Sequence, residues 1–591
     1  MQQPVTFLSL WKMVRSQKKE FWKVNLLSVG STLLFLPIPI LIPLLIDEVL
    51  LHHPGKLVAA VETLFHSREP AVVIAVTLGT VLSLRFAVFL MNNRKTLYAT
   101  RIVQKTAYGL RHRLLHHLER LSLSEFETLQ SGRIASKTVQ DVESISGFVG
   151  RMTTVALSAA LTLAGVAAVM FWISWPLAVV VFTLNPLFLA LSRRFGKKVG
   201  ELRRRQHEAY SLYHEMLNET LELFVQVRAG NREHTFFGLL RDRAGAIRRA
   251  ATEYGYGSSV AQSSSNLLTQ TVVDLFRALG IAAVAYTGLS IGMMLGFLFY
   301  LSTIVQPVQQ LMSLAISYQS VKPSLERLNR LLSMKREPNY PHEEDPFAGR
   351  ETTDVRLENI DFAYGSGEKV LHGVSIRAAA GEKIALVGPS GGGKTTIAQL
   401  MVGFYTPQKG EILYGGVPVE KIGLPVVREN VALMLQQSLF FNDTVRMNLT
   451  LGRTVDEKRL FEALRMAQID GFVRSLENGL DTRIGKNGIR LSGGQRQRLA
   501  VARLILGDPK IVIFDEATSA LDGETEYRLY DTLAPFLKNR TTVIVAHRET
   551  TIRQADRIYV VENGRVTAEG RYEALLAEGV LRTDGGKGTA T

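Results

Sequence analysis

Long apolar stretches alternate with polar stretches of helical character in the first half of the chain. A helix needs about 20 predominantly apolar residues to cross a bilayer. We predict membrane-spanning helices near residues 25–46, 71–91, 153–173, 175–192, 267–288 and 291–311. The alternative, that some of them are buried helices of a soluble protein, is supported only by three charges within apolar runs: Arg85, Asp274 and Arg277. The pattern favours a transmembrane domain at residues 1–320.

The second half has a different pattern. Residues 321–353 form a linker with several prolines and an acidic cluster. From residue 354 to residue 588, short apolar strands alternate with helical segments, which is typical of an α/β domain. The predicted fold class is therefore multi-domain: an all-α transmembrane domain of six helices, followed by an α/β domain of the P-loop NTPase type.

Charge suggests an orientation for the chain. The formal net charge is +15, although hydrophobic residues make up 46% of the sequence. Lys and Arg concentrate in the long stretches after the second and fourth predicted spans, whereas the loop after the first span is acidic. Positive loops stay on the cytoplasmic side, so we expect both termini and the second half in the cytoplasm. The chain has no cysteine, which excludes disulfides and thiolate chemistry.

A phosphate-binding loop opens the chemistry of the second half. An apolar strand ends at Val387, a Gly-rich segment follows, and a helical run begins at Thr396. Glycines let successive N–H groups point at phosphate oxygens, helped by the positive end of the helix. Lys394 adds charge to the β- and γ-phosphates, and the Thr395 hydroxyl can bind Mg²⁺. The candidate ATP-binding residues are Gly388, Pro389, Ser390, Gly391, Gly392, Gly393, Lys394, Thr395 and Thr396.

Two carboxylates follow a second apolar strand. The run from Ile511 to Phe514 resembles a strand buried on both faces, and Asp515 and Glu516 come directly after it. Asp515 is placed to hold Mg²⁺. Glu516 is placed to orient and deprotonate the attacking water, since phosphoryl transfer depends mainly on positioning and charge stabilisation.

A second anion-facing helix start follows Leu491, at Ser492, Gly493, Gly494 and Gln495. Serine and glycine at a helix N-terminus expose N–H groups to an anion. Taken alone, such a segment is an ordinary helix cap. One chain needs only one cradle for its phosphates, so we infer that this one serves a nucleotide held by another copy.

These segments together resemble the ATP-binding cassette of ABC transporters, and the Ser492 segment is similar to the signature of that family. The resemblance implies an adenine-stacking role for Tyr364 and a γ-phosphate-sensing, Mg²⁺-binding role for Gln436. It also implies a cross-dimer loop that ends at Asp522, and a switch histidine, His547, that grips the γ-phosphate. By this resemblance His547 joins Glu516 and Lys394 as a catalytic residue.

The first half is similar to the exporter branch of the family, including bacterial lipid flippases and multidrug exporters. The resemblance implies ATP-driven export or flipping of a hydrophobic or amphipathic substrate (a lipid, lipid-linked sugar, drug or peptide) by alternating access. Two chains would sandwich two ATP molecules, with Mg²⁺, in a multi-pass protein of a bacterial cytoplasmic (inner) membrane. The expected partners are a second half-transporter chain, most simply another copy although a heterodimer is open, and membrane lipids.

Two other functions are alternatives to export. A soluble ABC ATPase that acts on nucleic acid conflicts with six predicted spans, so no nucleic-acid partner is expected. An ATP-gated channel or regulatory subunit usually has a damaged catalytic site, whereas Glu516 and His547 are retained. The identity of the cargo is not legible in the sequence.

The sequence departs from the family pattern before the signature. An acidic residue is usual in a Gly-Glu-x-Gly segment, but here the segment reads Gly485-Lys486-Asn487-Gly488. We hypothesise that Lys486 meets an acidic residue of the intracellular loops instead.

Polar residues inside the last two predicted spans suggest a substrate pathway. Each set falls on one helical face, at about 100° per residue. The residues are Ser263, Asn266, Gln270, Asp274 and Arg277 in the fifth span and Ser302, Gln306, Gln309, Ser313 and Ser317 in the sixth. Polar residues in a membrane usually face a cavity or a partner. Hydrogen bonding between helices, with Asp274 and Arg277 paired locally, explains them equally well.

Overall fold

The chain divides into two compact units, which are described separately here. The computed structural model describes residues 4–52, 55–128, 131–365, 367–435, 438–485, 488–515, 523–546, 548–584 and 587–590. The first unit comprises Met1–Leu114 and Ala135–Ser333, and the second comprises Leu115–Ile134 and Met334–Thr591.

Helices make up the first unit. They are α1 (Phe7–Ser16), α2 (Lys18–Phe35), α3 (Ile38–Leu45), a π-helical turn (Ile46–Leu50), α4 (Lys56–Phe65), α5 (Pro70–Leu118), α7 (Ser131–Ile173), α8 (Trp175–Glu222), α9 (Phe224–Ala229), α10 (Glu233–Thr287) and α11 (Ile291–Ser333). The longest, α10, has 55 residues, or about 80 Å at 1.5 Å per residue. Since a bilayer core is about 30 Å thick, such a helix extends well beyond it.

Among the described residues, five helical segments are long and apolar enough to cross a membrane. They are Lys18–Leu50, Pro70–Leu118, Val139–Ile173, Glu233–Thr287 and Ile291–Ser333. The predicted fourth span, 175–192, lies within α8, but the side chains of residues 184–197 are outside the description. That span and the predicted domain boundaries stay predictions.

A break between α2 and α3 is stabilised by a tyrosine from α11. The amide of Ile40 bonds to the carbonyl of Pro37, so the carbonyl of Leu36 lacks its usual helical partner four residues on. The Tyr300 hydroxyl donates to that carbonyl, and its ring is fully buried in the core between α7, α8, α10 and α11. The bond is partly buried, and a main-chain carbonyl shielded from water needs such a partner.

The start of α11 is capped by an acidic side chain from the π-helical turn. Asp47 is 6% exposed. Its carboxylate accepts from the Gly292 amide at 2.7 Å and from the Ser290 hydroxyl. The first amides of a helix have no partner within it, and a carboxylate there also suits the helix dipole.

The described strands of the second unit form three sheets. Its strands are β1 (Val355–Ala363), β2 (Lys369–Ala378), β3 (Lys383–Val387), β4 (Lys409–Tyr414), β5 (Val417–Pro418), β6 (Val431–Met434), β7 (Ile511–Asp515), β8 (Thr541–Val545), β9 (Arg557–Glu562), β10 (Arg565–Gly570), β11 (Leu581–Asp584) and β12 (Lys587–Ala590). One sheet has the order β2-β1-β4-β5, a second β10-β9-β3-β8-β7-β6, and a third β11-β12. In the second sheet β9, β3, β8, β7 and β6 run parallel, so their carboxyl ends share one edge.

Short helices cover both faces of the six-stranded sheet. Those of the second unit are α6 (Leu123–Thr128), α12 (Lys394–Met401), α13 (Val419–Ile422), α14 (Leu424–Asn430), α15 (Val445–Thr450), α16 (Glu457–Met466), α17 (Asp470–Ser475), a 3-10 turn (Gly479–Asp481), α18 (Gly493–Gly507), α19 (Gly523–Leu537), α20 (Glu549–Ile552) and α21 (Tyr572–Ala577). The observed order, helices first and an α/β unit second, is that of the predicted fold class.

Part of the segment predicted to be a loop of the transmembrane domain packs with the second unit. Within residues 115–134, the Ser122 amide donates to Lys335 at 3.1 Å, and Arg120 accepts from the Glu337 amide at 2.8 Å. Leu123 packs against a core of the α/β unit. This pairing could not be predicted from the sequence, because it joins segments more than 200 residues apart.

Candidate functional site

The phosphate-binding loop has the predicted context. The buried strand β3 ends at Val387, and α12 begins at Lys394. Gly388 has a φ of +140°, and a Cβ there would lie 2.1 Å from the main-chain oxygen of Val561 on the neighbouring strand β9. Because no side chain fits at that distance, glycine is required for the backbone to turn so close to β9.

Lys394 lies within this loop and is 5% exposed. Its ammonium group donates to the carbonyls of Gly388 and Pro389, both at 2.8 Å. These bonds keep the positive charge inside the curve of the loop. A phosphate in the loop would meet that charge together with the first amides of α12.

Thr395 and Asp515 come together at the carboxyl edge of the sheet. The Thr395 hydroxyl donates to the Asp515 carboxylate at 3.2 Å. Asp515 ends the fully buried strand β7 and is 4% exposed. A hydroxyl and a carboxylate are oxygen ligands of the kind that Mg²⁺ takes, with phosphates and waters completing its coordination. The pair therefore fits the predicted magnesium site.

Tyr364 follows β1 and is 38% exposed. Its hydroxyl lies 2.9 Å from that of Thr396 and donates to Gln399 at 3.1 Å. The ring meets that of Tyr405 edge-on, 5.2 Å between centroids. Burial raises the pKa of the Tyr364 hydroxyl, so the group stays protonated at neutral pH. The ring is thus held from its hydroxyl end and partly open to stacking.

Tyr405, which contacts the Tyr364 ring, is also hydrogen-bonded to Glu127 in the segment 115–134. Burial raises the pKa of its hydroxyl, and a hydrogen bond with Glu127 adds to the shift. Glu127 lies in α6. Sequence analysis assigned no role to Tyr405 or Glu127, because their contact joins segments far apart in the chain.

The signature segment is a capped helix start. The Ser492 hydroxyl accepts from the Gln495 amide at 3.1 Å, and the Gln495 side chain accepts from the Ser492 amide at 2.8 Å. This reciprocal arrangement is a capping box. Ser492 is exposed, whereas α18 behind it is largely buried. The first turn, with Gly493 and Gly494, is therefore presented at the surface of the described chain.

The helices that follow the two predicted phosphate-binding segments, α12 after the Gly388 loop and α18 after Ser492, pack on opposite faces of the six-stranded sheet. Side chains alternate along β3, so Ile384 and Leu386 enter one core while Ala385 and Val387 enter the other. The phosphate-loop helix α12 packs into the core of Ile384. The signature helix α18 packs into the core of Ala385.

Several predicted site residues lie outside the described residues: Gln436, Lys486, Glu516, Asp522 and His547. Their predicted roles, like those of the described site residues, stay predictions. Asp515 and Val545, which precede Glu516 and His547 in the chain, end the adjacent strands β7 and β8.

Each predicted polar stripe lies on one helix, the first on α10 and the second on α11. All five stripe residues of α10 and four of the five on α11 are exposed in the single chain. Asp274 and Arg277 form an ion pair at 2.9 Å, which agrees with the local-pairing reading. Ser317 departs from the stripe, because it is buried and donates to the carbonyl of Ser313 at 2.7 Å. Asn92 and Lys95 of α5, which lie just past the predicted second span, were missed and share a polar cavity with Gln306.

Two family models match the chain. Residues 26–308 match the transmembrane region of ABC transporters, and residues 371–519 match the ABC transporter ATP-binding region. An ATP-dependent lipid A-core flippase of Chromobacterium violaceum is 32% identical over 88% of this chain and 88% of its own length. A flippase of the same name from Legionella pneumophila is 30% identical over 97% of this chain and 95% of its own.

A solved structure has the same architecture. A bacterial Atm1-family ABC exporter with ATP bound superimposes with a TM-score of 0.77 at 25% identity, over 96% of both chains. The predicted fold class is thereby confirmed. The chain belongs to the ABC transporters, as an exporter-type member whose membrane and ATP-binding regions share one polypeptide and which couples ATP hydrolysis to transport.

Proposed function

We propose that this chain is one half of a dimeric pump that moves an amphipathic lipid across a bacterial inner membrane, with ATP bound between the two copies. The lipid is suggested by the relatives named lipid A-core flippase. The basic stretches between the predicted spans support a cytoplasmic location for the ATP-binding unit.

The placement of the two cradles carries the dimer proposal. The helices α12 and α18 pack against opposite faces of one sheet. A small anion cannot contact both helix starts through a packed core. The exposed Ser492 turn is therefore available to a nucleotide held by a second copy, whose own Ser492 turn would complete the site of the first.

The chain's residues divide the chemistry of hydrolysis between them. Lys394 and the loop amides bind the β- and γ-phosphates and stabilise the charge that develops on them. Thr395 and Asp515 are the residues that would hold Mg²⁺, which neutralises phosphate oxygens when bound. A water attacks the γ-phosphorus, its proton passes to Glu516, and the bond to the ADP oxygen breaks, which leaves ADP and phosphate.

Mixing two inactive variants tests the shared site. In a mixed dimer of Lys394→Ala with Ser492→Arg, one composite site combines both substitutions and the other has neither. The proposal predicts that co-expressed, doubly tagged and purified mixed dimers in nanodiscs hydrolyse ATP faster than either parent.

The matched control places both substitutions in one chain and pairs it with the wild-type chain. Each composite site then has one defect, so no intact site remains and turnover should stay low. If the control is instead as active as the mixed dimer of single variants, or if neither recovers, the shared site is wrong. ATP-driven lipid movement in vesicles, compared with ion conductance, separates a pump from a channel.

A further inference from the structure

The first unit contains a polar cavity. Of the residues in the two predicted polar stripes, Gln306 is the one that lines it. It has a volume of about 200 Å³ and is bounded by helices α2, α5, α7 and α11. Its amide and charged side chains are Asn92 and Lys95 of α5 and Gln306 and Gln310 of α11, and serine and threonine hydroxyls from α2, α7 and α11 line it as well. Polar groups thus converge from four helices that are far apart in sequence.

Among the described residues that line this cavity, only Lys95 carries a formal charge. Two other cations of the unit have carboxylate partners: Arg277 pairs with Asp274, and Arg327 pairs with Asp141. No carboxylate pairs with Lys95 among the described residues. A half-buried ammonium group without a counter-charge is costly within a membrane-spanning helix, and an anionic ligand would supply that charge.

The remaining hydrogen-bonding capacity of the cavity also suits an anion. The hydroxyls of Ser31, Ser158 and Thr303 already donate to carbonyls of their own helices. Among the described lining residues, the remaining donors are therefore the Thr32 hydroxyl, the amides of Asn92 and Gln310, Gln306 at the exposed side, and Lys95. Asn92 and Lys95 lie three residues apart on one face of α5, so both point the same way.

The volume limits what can enter. A cavity of about 200 Å³ holds a single head group but not acyl chains. Drug-sized ligands need pockets of roughly 300–1,000 Å³. The site therefore fits the ionised end of a larger amphiphile.

We propose that Lys95, with the amides of Asn92, Gln306 and Gln310, binds the phosphate or carboxylate group of the transported amphiphile. This inference rests on the proposed function, which it deepens by naming the chemistry of the cargo. Gln306 then lies at the meeting point of the cavity and the exposed stripe of α11.

Direct binding tests the inference without requiring transport. The full-length protein in neutral detergent would be titrated with dioctanoyl phosphatidic acid, dioctanoylglycerol, octanoate and inorganic phosphate. We expect dioctanoyl phosphatidic acid or octanoate to bind at least about tenfold more tightly than dioctanoylglycerol, since a charge-assisted hydrogen bond is lost with the neutral compound.

Variants then locate the effect. Lys95→Gln should remove the preference for the anionic probe, whereas Lys95→Arg should keep it and shows that the fold tolerates substitution. Lys322→Gln, an exposed lysine of α11 outside the cavity, is the matched control and should bind as the wild type does. Basal ATP hydrolysis should be unchanged in Lys322→Gln, which lies outside the proposed site.

Each contrary result has one meaning. Equal binding of the charged and neutral probes by the wild type, or an unchanged preference in Lys95→Gln, overturns the anion site. Inorganic phosphate that binds as tightly as the lipid overturns the amphiphile as ligand. Failure of ATP-driven lipid movement in vesicles, with anion binding intact, refutes the proposed function and leaves the binding site standing.

Discussion

Replacing Asp47 by alanine tests how the start of α11 is held. Asp47 accepts from the Gly292 amide at 2.7 Å and from Ser290. Ser290 keeps a partner after the change, because its oxygen also accepts from the Met293 amide at 3.1 Å. The Gly292 amide is left buried without an acceptor. Loss of a hydrogen bond to a charged group costs about 1.5–3 kcal/mol, and the orphaned amide adds to that, so we expect a destabilisation of about 3 kcal/mol.

The neighbouring Glu48 provides a matched control on the same turn. Its carboxylate accepts from the amides of Leu57 and Val58, at 3.2 and 2.7 Å, at the start of the short helix α4. Loss of a cap of this kind costs about 1 kcal/mol. Thermal unfolding of the full chain in nanodiscs, followed by near-UV circular dichroism, should therefore show a shift for Asp47→Ala about three times that for Glu48→Ala.

Gly292→Ala perturbs the same contact from the other side. A Cβ at this position would lie 2.4 Å from Asp47 Oδ2 and 2.4 Å from the carbonyl of Pro43. Overpacking of this kind costs about 1–3 kcal/mol. If Asp47→Ala lowers the midpoint no more than Glu48→Ala, or if Gly292→Ala leaves it unchanged, the buried cap does not hold α11 as described.

The nucleotide site yields three further predictions. Gly388→Ala should weaken binding of a fluorescent ATP analogue more than 10-fold, because of the contact with Val561, and it should lower stability as well; equal binding would contradict the required close approach. Thr395→Val should reduce ATP hydrolysis at least about 100-fold and weaken the response to added Mg²⁺, measured by a magnesium titration of turnover; an unchanged titration curve would exclude Thr395 as a ligand. Tyr364→Ala should raise the KM for ATP about tenfold, as expected for a stacking contact of about 1–1.5 kcal/mol, whereas Tyr364→Phe, which keeps the ring, should raise it less than threefold; equal effects would assign the role to the hydroxyl.

The features that sequence predicted well are those encoded within short segments. The phosphate loop is specified by glycines at fixed spacing, and the position of Gly388 against β9 follows from the backbone. The buried strand that ends at Asp515 was visible as a continuous apolar run. The capping residues at Ser492 and Gln495 are three positions apart, so their reciprocal bonds were encoded locally as well.

Contacts that join distant segments could not be predicted from the sequence. The pairing of residues 120–122 with 335–337 required the packing of the second unit. The edge-on contact of Tyr364 with Tyr405 joins β1 to the end of α12. The predicted second span stopped at residue 91, because Asn92 and Lys95 ended the apolar run, and this excluded them from the predicted pathway.

The phosphate loop is formed by one segment of the chain, whereas the proposed cargo site is formed by four separate helices. Phosphate binding in the proposed site depends on backbone amides directed by glycines and on one lysine within a single loop, so the loop itself makes no contact that depends on the cargo. A head-group cavity built from α2, α5, α7 and α11 depends on two to four side chains from each helix. One substitution on any of the four helices can change the charge or hydrogen bonding of that cavity without touching the cradle. Cargo preference can therefore change while the phosphate loop keeps its sequence, and Lys95→Gln should change the preference for an anionic amphiphile.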